Sequence, residues 1–214
     1  YKLDTTEPGQ PTMAGLGSLS VGYMNSVSAE GSFIRVILPE NAAKGDTVSL
    51  KLDQNVFASL KFGASRVSDG YVDFFVSSAS LGSDGLKSFT AQIIDAVGNV
   101  SQESVPFLLT MDTQAPSAPI VDIVASDDVI NASDATNGFI IKGSGEPGAT
   151  VTISFSSNVD LSGGNTATVD ENGLWSISVL AADVDGFGNG PEAITAVQSD
   201  PAVNISLVSS PRNV

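Results

Sequence analysis

At residues 148–155 the chain has the sequence Gly-Ala-Thr-Val-Thr-Ile-Ser-Phe, in which apolar and polar side chains alternate after a glycine. Alternation with a period of two is typical of a β-strand that buries one face. The same alternation recurs at residues 33–38, 47–52 and 174–179. Turn-forming pairs such as Asp84-Gly85 and Asn172-Gly173 separate such runs, and no window has a sustained helical stripe. The sequence therefore predicts strands throughout.

Two parts of the chain repeat each other in sequence. Gly-Ala-Thr-Val-Thr-Ile at residues 148–153 matches Gly-Asp-Thr-Val-Ser-Leu at residues 45–50, and residues 90–99 match residues 195–204. Residues 4–11 and 112–119 both have the pattern D-T-x-x-P-x-x-P. Such ordered repeats indicate homologous units. We expect two domains, residues 1–111 and 112–214, joined by a short linker that Pro116 and Pro119 stiffen.

Each copy has room for about seven short strands in about 100 residues, which is typical of an immunoglobulin-like sandwich. The chain has no cysteine, so the usual disulfide is absent. In the first copy strands A to G are expected near residues 12–20, 32–38, 47–52, 57–63, 71–76, 88–94 and 100–109. In the second copy they are expected near residues 118–124, 139–143, 149–155, 165–169, 173–179, 193–198 and 203–208. The predicted fold class is all-β, with two tandem immunoglobulin-like β-sandwich domains.

The charge balance selects the kind of partner. Only 15% of the residues are charged, against about 25% in an average protein, yet 24 acids against 9 bases leave a net charge of −15. Nucleic acid and anionic lipid need clustered bases, so neither is an expected partner. The absence of histidine and cysteine removes imidazole and thiolate chemistry, so we expect no catalysis. A metal would have to bind through oxygen, which favours Ca2+ over Mg2+ because calcium tolerates irregular shells.

The expected topology sorts the acidic loops between the two ends of each sandwich. The BC, DE and FG loops lie at the end where the chain enters the domain, and the AB, CD and EF loops lie at the other end. The entry end of the second copy would carry Asp112, Glu146, Asp170, Asp200 and Asn204. The exit end of the first copy would carry Asn25, Glu30 and Asp84. End-to-end stacking would bring these two groups together, and a bound cation would relieve their repulsion. For Asp170, as for Asp69, an ordinary turn is the favoured interpretation.

The excess negative charge lies mostly in the second copy. Residues 1–111 carry 11 acids and 7 bases, whereas residues 112–214 carry 13 acids and 2 bases. Part of the excess belongs to the AB loop of the second copy, with the candidate ligands Asp127, Asp128, Asn131 and Asp134. By the same topology this loop would face a further domain. We therefore expect the chain to be a fragment of a longer array.

Four motifs resemble the immunoglobulin-like repeats of giant calcium-binding adhesins of Gram-negative bacteria, the RTX-type adhesins that leave the cell by type I secretion. They are the two D-T-x-x-P-x-x-P linkers, D-D-V-I-N-x-x-D at residues 127–134, G-x-x-E-P-G-A-T-V at residues 143–151 and D-A-x-G-N-x-S at residues 95–101. The resemblance implies a non-catalytic extender of a cell-surface adhesin that supports adhesion or biofilm formation. It implies Ca2+ at the domain junction through Asp112, Glu146, Asp200, Asn25 and Glu30, and at the outer entry end through Asp4, Asp95 and Asn99.

The resemblance also implies the partners and location of the chain. The expected partners are neighbouring immunoglobulin-like domains of the same chain, with host or surface ligands bound elsewhere in the full-length protein. No membrane insertion is expected, and the segment itself should be a monomer that is secreted to the bacterial surface.

Two alternatives remain open at this stage. One copy could instead be a glycan- or protein-binding module near the tip of an adhesin, which the long BC loop near Glu40 and the EF loop near Phe187 would favour. The acidity could also serve solubility alone, with Asp95 and Asp200 acting only as turn residues that bind their own backbone.

Overall fold

The computed structural model describes residues 3–17, 19, 22–26 and 32–214. The chain divides into two compact units, Tyr1–Thr113 and Gln114–Val214, here named the first and the second domain. Each domain has its own cluster of buried apolar side chains. None of the helices in the described ranges is long and apolar enough to cross a membrane.

The first domain is built from two sheets. Its described strands are β1 (Thr12–Leu16), β2 (Tyr23–Met24), β3 (Phe33–Ile37), β4 (Thr47–Leu52), β5 (Asn55–Lys61), β6 (Tyr71–Phe75), β7 (Gly85–Ile94) and β8 (Phe107–Met111). One sheet has the order β1-β3-β6 and the other the order β2-β8-β7-β4-β5. Neighbouring strands are antiparallel except β2 and β8, which run parallel. Across that pair Thr110 N–H donates to Gly22 O and Asp112 N–H donates to Met24 O, each at 2.9 Å.

The alternation in the sequence places the core of the first domain between its sheets. Ile34 and Val36 of β3 and Val48 and Leu50 of β4 are fully buried, together with Phe89 of β7. Complete burial of such a side chain contributes about 1.5–3 kcal/mol. These side chains therefore fix which face of each strand turns inward.

The second domain repeats the same plan. Its described strands are β9 (Ile120–Val121), β10 (Phe139–Ser144), β11 (Thr150–Phe155), β12 (Thr166–Thr168), β13 (Leu174–Val179), β14 (Ala193–Ser199) and β15 (Arg212–Asn213). The sheets have the orders β13-β10-β9 and β12-β11-β14-β15. In both domains strands A, B and E form one sheet and strands D, C, F and G the other. The fold is therefore the predicted all-β immunoglobulin-like sandwich.

Trp175 anchors the core of the second domain. Its side chain is 3% exposed, and its Nε1–H donates to Ser144 O at 3.2 Å. Across the sheet lies Gly143, where an added Cβ would lie only 1.9 Å from Ile120 O and 2.6 Å from the indole ring. A glycine at this position lets strands β9 and β10 approach while the ring fills the space beside them.

The expectation of strands throughout is wrong at four short helices in the described residues. They are α1 (Ala64–Asp69), α2 (Ser78–Leu81), α3 (Ala132–Asn137) and α4 (Ala181–Val184). With four to six residues each, they are too short to produce a periodic apolar stripe. Local capping contributes instead at some of them, as at Ser77, which begins α2 with a capping box.

The predicted position of the last strand, strand G, is also wrong in both domains. In the first domain strand G was expected at 100–109, but the regular strand is Phe107–Met111. In the second domain it was expected at 203–208, but the regular strand is Arg212–Asn213. Before each regular strand the chain follows the neighbouring F strand through single bridges, Ile94 with Val100 and Ser199 with Ile205.

Serine hydroxyls replace the missing ladder in these irregular segments. Ser101 and Ser104 Oγ accept hydrogen bonds from Ile93 N–H and Ala91 N–H at 2.9 and 3.0 Å. Ser206 and Ser209 Oγ accept in the same way from Gln198 N–H and Ala196 N–H in the second domain. A hydroxyl that takes the place of a carbonyl lets the strand deviate while the buried N–H groups of the F strand stay bonded.

Candidate metal centres

The FG loop of the first domain is organised around Asp95. Its Oδ1 accepts hydrogen bonds from the backbone N–H groups of Val97, Gly98 and Asn99, at 2.9, 2.6 and 2.8 Å. Asn99 Nδ2 donates to Asp95 Oδ2 at 2.7 Å. Burial alone would raise the pKa of this carboxyl, but the hydrogen bonds from Asn99, Val97 and Gly98 outweigh it and hold the pKa below its usual value. The carboxylate therefore orders the loop while charged.

The same loop contacts the segment that enters the domain. Asn99 Nδ2 also donates to the carbonyl oxygens of Asp4 and Thr6, at 3.2 and 3.4 Å. Asp4 Oδ1 in turn accepts from Thr6 N–H at 3.1 Å. One amide side chain thus connects the FG loop to the entering segment, and it brings together the three residues predicted at the outer entry end.

A depression of about 310 Å3 lies beside these residues. Asp4, Asp46 and Asp95 line it together with Lys44. Asp46, which sequence reasoning did not select, is 4% exposed, and its Oδ2 accepts from Ala43 N–H at 2.8 Å. Its position directly after Gly45, at the start of a predicted strand, was a signal for a structured acid. The second copy has alanine at the matching position, so the repeat did not point to it.

The FG loop of the second domain repeats the arrangement. Asp200 Oδ1 accepts from Asn204 N–H at 2.9 Å, and Asp200 Oδ2 accepts from Asn204 Nδ2 at 2.8 Å. Asp200 N–H donates to Asn204 O at 3.1 Å. Both residues are buried, with exposures of 5% and 9%. An aspartate and an asparagine four residues later therefore form the same closed loop in both domains.

Glu146 lies next to a polar side chain that the sequence analysis missed. Gln198 is 1% exposed; its Oε1 accepts from Glu146 N–H at 2.9 Å, and its Nε2 donates to Ser117 O at 2.7 Å. Gln198 lies on the F strand, β14, and it therefore joins this strand to the BC loop and to the segment that enters the second domain. The carboxylate of Glu146 itself is exposed.

Asp170 forms the turn that the sequence favours for it. Its Oδ1 accepts from Asn172 N–H at 2.8 Å and from Leu174 N–H at 2.9 Å. These backbone hydrogen bonds, with the one from Leu174 first, hold the pKa of the carboxyl below its usual value.

At the exit end of the first domain the structure brings predicted residues side by side. Met24 of β2 pairs with Met111 of the parallel strand β8. Asn25 and Asp112 are the next residues on these two strands, so they lie beside each other. Asn25 is 6% exposed. Both carboxylate oxygens of Asp84 accept from Thr113 Oγ1, at 3.0 and 3.1 Å. Glu30, the remaining candidate at this end, lies outside the described residues.

The AB loop of the second domain uses its acids for local structure. Asp128 forms a two-point ion pair with Arg212, in which Nε donates to Oδ1 at 2.8 Å and Nη2 donates to Oδ2. The Arg212 guanidinium, aided by Val124 N–H, holds the pKa of Asp128 below its usual value. Asp127 Oδ1 accepts from Val129 N–H at 3.1 Å.

Asn131 and Asp134 begin helix α3. Asn131 Oδ1 accepts from Ser133 N–H at 2.7 Å, and Asp134 Oδ2 accepts from Asn131 N–H at 3.0 Å, which completes a capping box. The sequence analysis treated both as metal ligands and did not predict the helix. The spacing N-x-x-D, an N-cap residue followed by an acid, was the signal for it.

The oxygen atoms at the candidate sites are the type of ligand that calcium prefers, but they are fewer than a complete calcium shell needs. Within the described ranges no three acidic side chains come together in a group that could hold a metal ion. Calcium takes six to eight oxygen ligands, and backbone carbonyls, amide oxygens and water can supply many of them. Each loop end offers one or two carboxylates with an asparagine and ordered carbonyls nearby, so it could supply only part of a calcium shell.

The EF loop of the second domain is packed against the protein. Phe187 stacks on Phe155 with a distance of 4.8 Å between ring centroids. Asp183 is 6% exposed and accepts from Ser162 N–H at 2.9 Å. Phe187, which motivated a ligand-binding loop, thus contributes part of its ring to the core.

The chain is similar to solved structures of bacterial adhesins. Over 95% of its length it is 25% identical to a structure from a 1.5-MDa bacterial ice-binding adhesin, with a TM-score of 0.42. Over 96% of its length it is 25% identical to a structure from a Ca2+-stabilised adhesin that helps an Antarctic bacterium bind ice, with a TM-score of 0.43. Over 44% of its length it is 29% identical to an immunoglobulin-like domain of the M. primoryensis ice-binding adhesin, with a TM-score of 0.31.

The chain spans 63% of the first structure, 48% of the second and 90% of the third. No model of a known protein family matches the chain, and no curated protein matches it.

Proposed function

We propose that the chain is a non-catalytic extender segment of a bacterial cell-surface adhesin. In this proposal its work is mechanical: it is secreted to the bacterial surface and holds other parts of the adhesin away from the cell, which supports adhesion or biofilm formation. Ca2+ bound by the loops at the domain ends limits bending between successive domains.

One observation carries this proposal: the same aspartate–asparagine loop closes the FG connection in both domains. Asp95 with Asn99 and Asp200 with Asn204 have matching hydrogen bonds. In the first domain this loop bonds to the entering segment through Asn99. In the second domain the neighbouring Gln198 bonds to the entering segment at Ser117. Because each FG region holds the chain where it enters the domain, a cation that orders the loop would also order that segment.

Calcium would supply positive charge and a rigid oxygen shell at these loops. The residues proposed to hold it at the entry ends are Asp4, Asp95 and Asn99 in the first domain, and Asp112, Glu146, Asp200 and Asn204 around the second. The residues proposed at the exit ends are Asn25, Glu30 and Asp84, and then Asp127, Asp128, Asn131 and Asp134. The carboxylates of Asp4 and Glu146 are exposed, so they are accessible to an added ion.

The proposal is tested by removing calcium from the whole chain. We expect a higher melting temperature and a narrower range of molecular lengths, measured by X-ray scattering, in millimolar CaCl2 than in EGTA. A ligand present at a hundred times its Kd stabilises the folded state by about 2.7 kcal/mol per site. Identical melting curves and scattering profiles in the two buffers would refute the proposal.

A matched pair of variants locates the ions. Asp95→Asn removes a proposed ligand, whereas Asp69→Asn removes the same charge from an exposed position outside the candidate set. Calorimetric titration with CaCl2 should show a smaller stoichiometry for Asp95→Asn only. MgCl2 titrated in the same way should give a weaker response, because magnesium requires a stricter octahedral shell. Equal stoichiometry in both variants would exclude Asp95 as a ligand.

A further inference from the structure

The outward face of the three-stranded sheet in the first domain carries an aromatic surface that the core does not use. On β3 and β6 the alternate residues Ile34, Val36, Val72 and Phe74 turn into the core, with exposures of 0 to 6%. The residues between them, Phe33, Arg35, Ile37, Tyr71, Asp73 and Phe75, therefore share the outward face. Phe75 is 53% exposed and Ile37 is 43% exposed.

The register of the two strands pairs these side chains. Phe33 lies opposite Phe75, and their ring centroids are 5.6 Å apart at an interplanar angle of 69°. Ile37 lies opposite Tyr71 at the other end of the strands. Since a strand rises about 3.3 Å per residue, Tyr71 and Phe75 stand about 13 Å apart along β6. The Phe33–Phe75 pair and Tyr71 thus lie at opposite ends of this face.

A fixed ion pair fills the space between the aromatic rings. Arg35 Nε and Nη2 donate to Asp73 Oδ1 and Oδ2, both at 2.8 Å, and the guanidinium carbon lies 3.5 Å from the centroid of the Tyr71 ring. A guanidinium has five N–H groups and a carboxylate about four acceptor positions. Each partner therefore keeps hydrogen-bonding capacity beyond the bonds it makes to the other, in a geometry that the Tyr71 ring holds in place.

The strand beside Arg35 leaves this polar group accessible. On β1 Ala14 lies opposite Arg35 and Thr12 opposite Ile37. These two side chains are short, whereas Leu16, at the end of β1, lies opposite Phe33. The guanidinium and the Tyr71 end of the face therefore stand above the neighbouring strand, and a partly aromatic, partly polar surface of this kind suits an extended ligand.

The second domain shows that the fold does not require these rings. On β13, the equivalent of β6, the alternate outward positions hold Leu174, Ser176 and Ser178. On β10 they hold Ile140 and Lys142. None of these described outward positions carries an aromatic ring, yet the sheet order is the same. The aromatic surface is therefore a property of the first domain and not of the sandwich.

We propose that this face of the first domain binds a neutral glycan chain, with the exposed Phe75 and the neighbouring Phe33 and Tyr71 rings contacting sugar rings and the Arg35–Asp73 pair bonding to sugar hydroxyls. The pair leaves the surface without net charge inside a chain of net charge −15, so neither an anionic polymer nor a free cation is favoured there. An uncharged ligand with apolar ring faces and many hydroxyls matches both parts of the surface. This site is independent of the calcium proposed at the domain ends.

The test uses the complete chain and an array of neutral and acidic oligosaccharides, followed by calorimetry with the neutral oligosaccharide that binds best. We expect neutral glycans to bind, with affinity unchanged by EGTA. Phe75→Ala and Tyr71→Ala should each lower the affinity about tenfold, as loss of an exposed aromatic anchor commonly does. Tyr71→Phe keeps the aromatic ring and should bind the glycan with nearly the affinity of the parent chain. Leu174→Ala, on the matching strand of the second domain, is the control and should bind like the parent.

Several results would overturn the inference. They are the absence of any bound neutral glycan, preference for acidic glycans, or equal affinity in Phe75→Ala and the parent chain. A further one is concentration-dependent dimerisation in ultracentrifugation that Phe75→Ala abolishes, because the face would then bind a second copy of the chain. Melting curves show whether each variant is folded, and the largely exposed Phe75 gives a substitution that leaves the core intact.

Discussion

Gln198 shows how one buried polar side chain joins three parts of a domain. It bonds to Glu146 N–H and to Ser117 O, and its own N–H donates to Ser206 Oγ at 3.0 Å. A buried amide with all these bonds made is stable, whereas its loss would leave an N–H group and a carbonyl without partners.

Replacing Gln198 with leucine should lower the free energy of unfolding of the second domain by about 1–2 kcal/mol, because two part-buried hydrogen bonds are lost and each contributes about 0.5–1.5 kcal/mol. Trp175 is the only tryptophan and lies in the core of this domain, so its fluorescence during urea unfolding measures the effect. The control is Gln92→Leu on the F strand of the first domain, where Nε2 makes a 3.1 Å bond to Ser101 O; it should leave the Trp175 transition unchanged. A Trp175 transition unchanged by Gln198→Leu would contradict the assigned bonds.

For individual side chains, the sequence identified which loops are polar but not which groups their side chains bond to. The recurrence of an acid and an asparagine at the same spacing singled out Asp95 and Asp200 as metal ligands, and that assignment stays a prediction. Their bonds to their own loops depend on loop geometry, which a repeat does not reveal. Gln198 was missed since a polar residue inside an alternating strand normally indicates the exposed face, although the matching residue of the first domain, Ile93, was a signal for a buried position.

The irregular strand before β15 depends on two serines. Ser206 and Ser209 Oγ accept from Gln198 N–H and Ala196 N–H at 3.0 and 2.9 Å, and their hydroxyls donate to Leu207 O and Ser210 O. Both serines are buried, with exposures of 8% and 6%. The first domain has serines with the same spacing at Ser101 and Ser104, so this element is a repeated feature.

Ser209→Ala should reduce the free energy of unfolding of the second domain by about 1–2 kcal/mol, because Ala196 N–H loses its acceptor in a buried position. Ser210→Ala, one residue later and exposed, is the matched control and should have little effect. Amide hydrogen exchange gives a second measurement: Ala196 N–H should exchange faster in Ser209→Ala and not in Ser210→Ala. If protection of Ala196 does not change, the hydroxyl is not its acceptor.

Strands with strict alternation were predicted well, and elements set by single side chains were not. The strands near residues 47–52, 150–155 and 174–179 follow directly from buried alternate residues such as Val151 and Ile177. The segment before the last strand of each domain has buried serines in place of apolar residues, because hydroxyl groups do part of the bonding there. The four short helices likewise have no apolar period, and two of them, α2 and α3, begin with a capping box.

The distribution of charge makes the two domains differ as whole units. Residues 112–214 have 13 acids against 2 bases, and residues 1–111 have 11 against 7. Hydrogen bonds or an arginine lower the pKa of five carboxyls, Asp95 in the first domain and Asp128, Asp170, Asp183 and Glu192 in the second.

These shifts predict greater acid sensitivity in the second domain. A carboxyl whose pKa is lower in the folded state contributes its full stability above its unfolded pKa, about 3.9 for Asp and 4.3 for Glu. That contribution is lost as the pH falls through the folded pKa. Four of the five groups lie in the second domain, so the urea midpoint seen by Trp175 should fall more between pH 7 and pH 3 than the midpoint seen by NMR signals of the first domain.

Asp170→Asn should make the second domain less sensitive to acid, since the substituted side chain cannot be protonated in this range. Relief of repulsion among its many acids acts in the opposite direction. A midpoint for Trp175 that stays constant or rises on acidification would show that repulsion prevails over the lost hydrogen bonds.

The parallel pairing of β2 with β8 bears on how the first domain responds to tension. These strands stand near the start and the end of the domain and run in the same direction, so a force that pulls the ends apart slides one strand along the other. The bonds from Thr110 to Gly22 and from Asp112 to Met24 are then loaded in shear at the same moment. They must break together, whereas the bonds of a hairpin pulled open from one end break in succession. We therefore expect the first domain to resist stretching more strongly than a domain whose end strands form a hairpin.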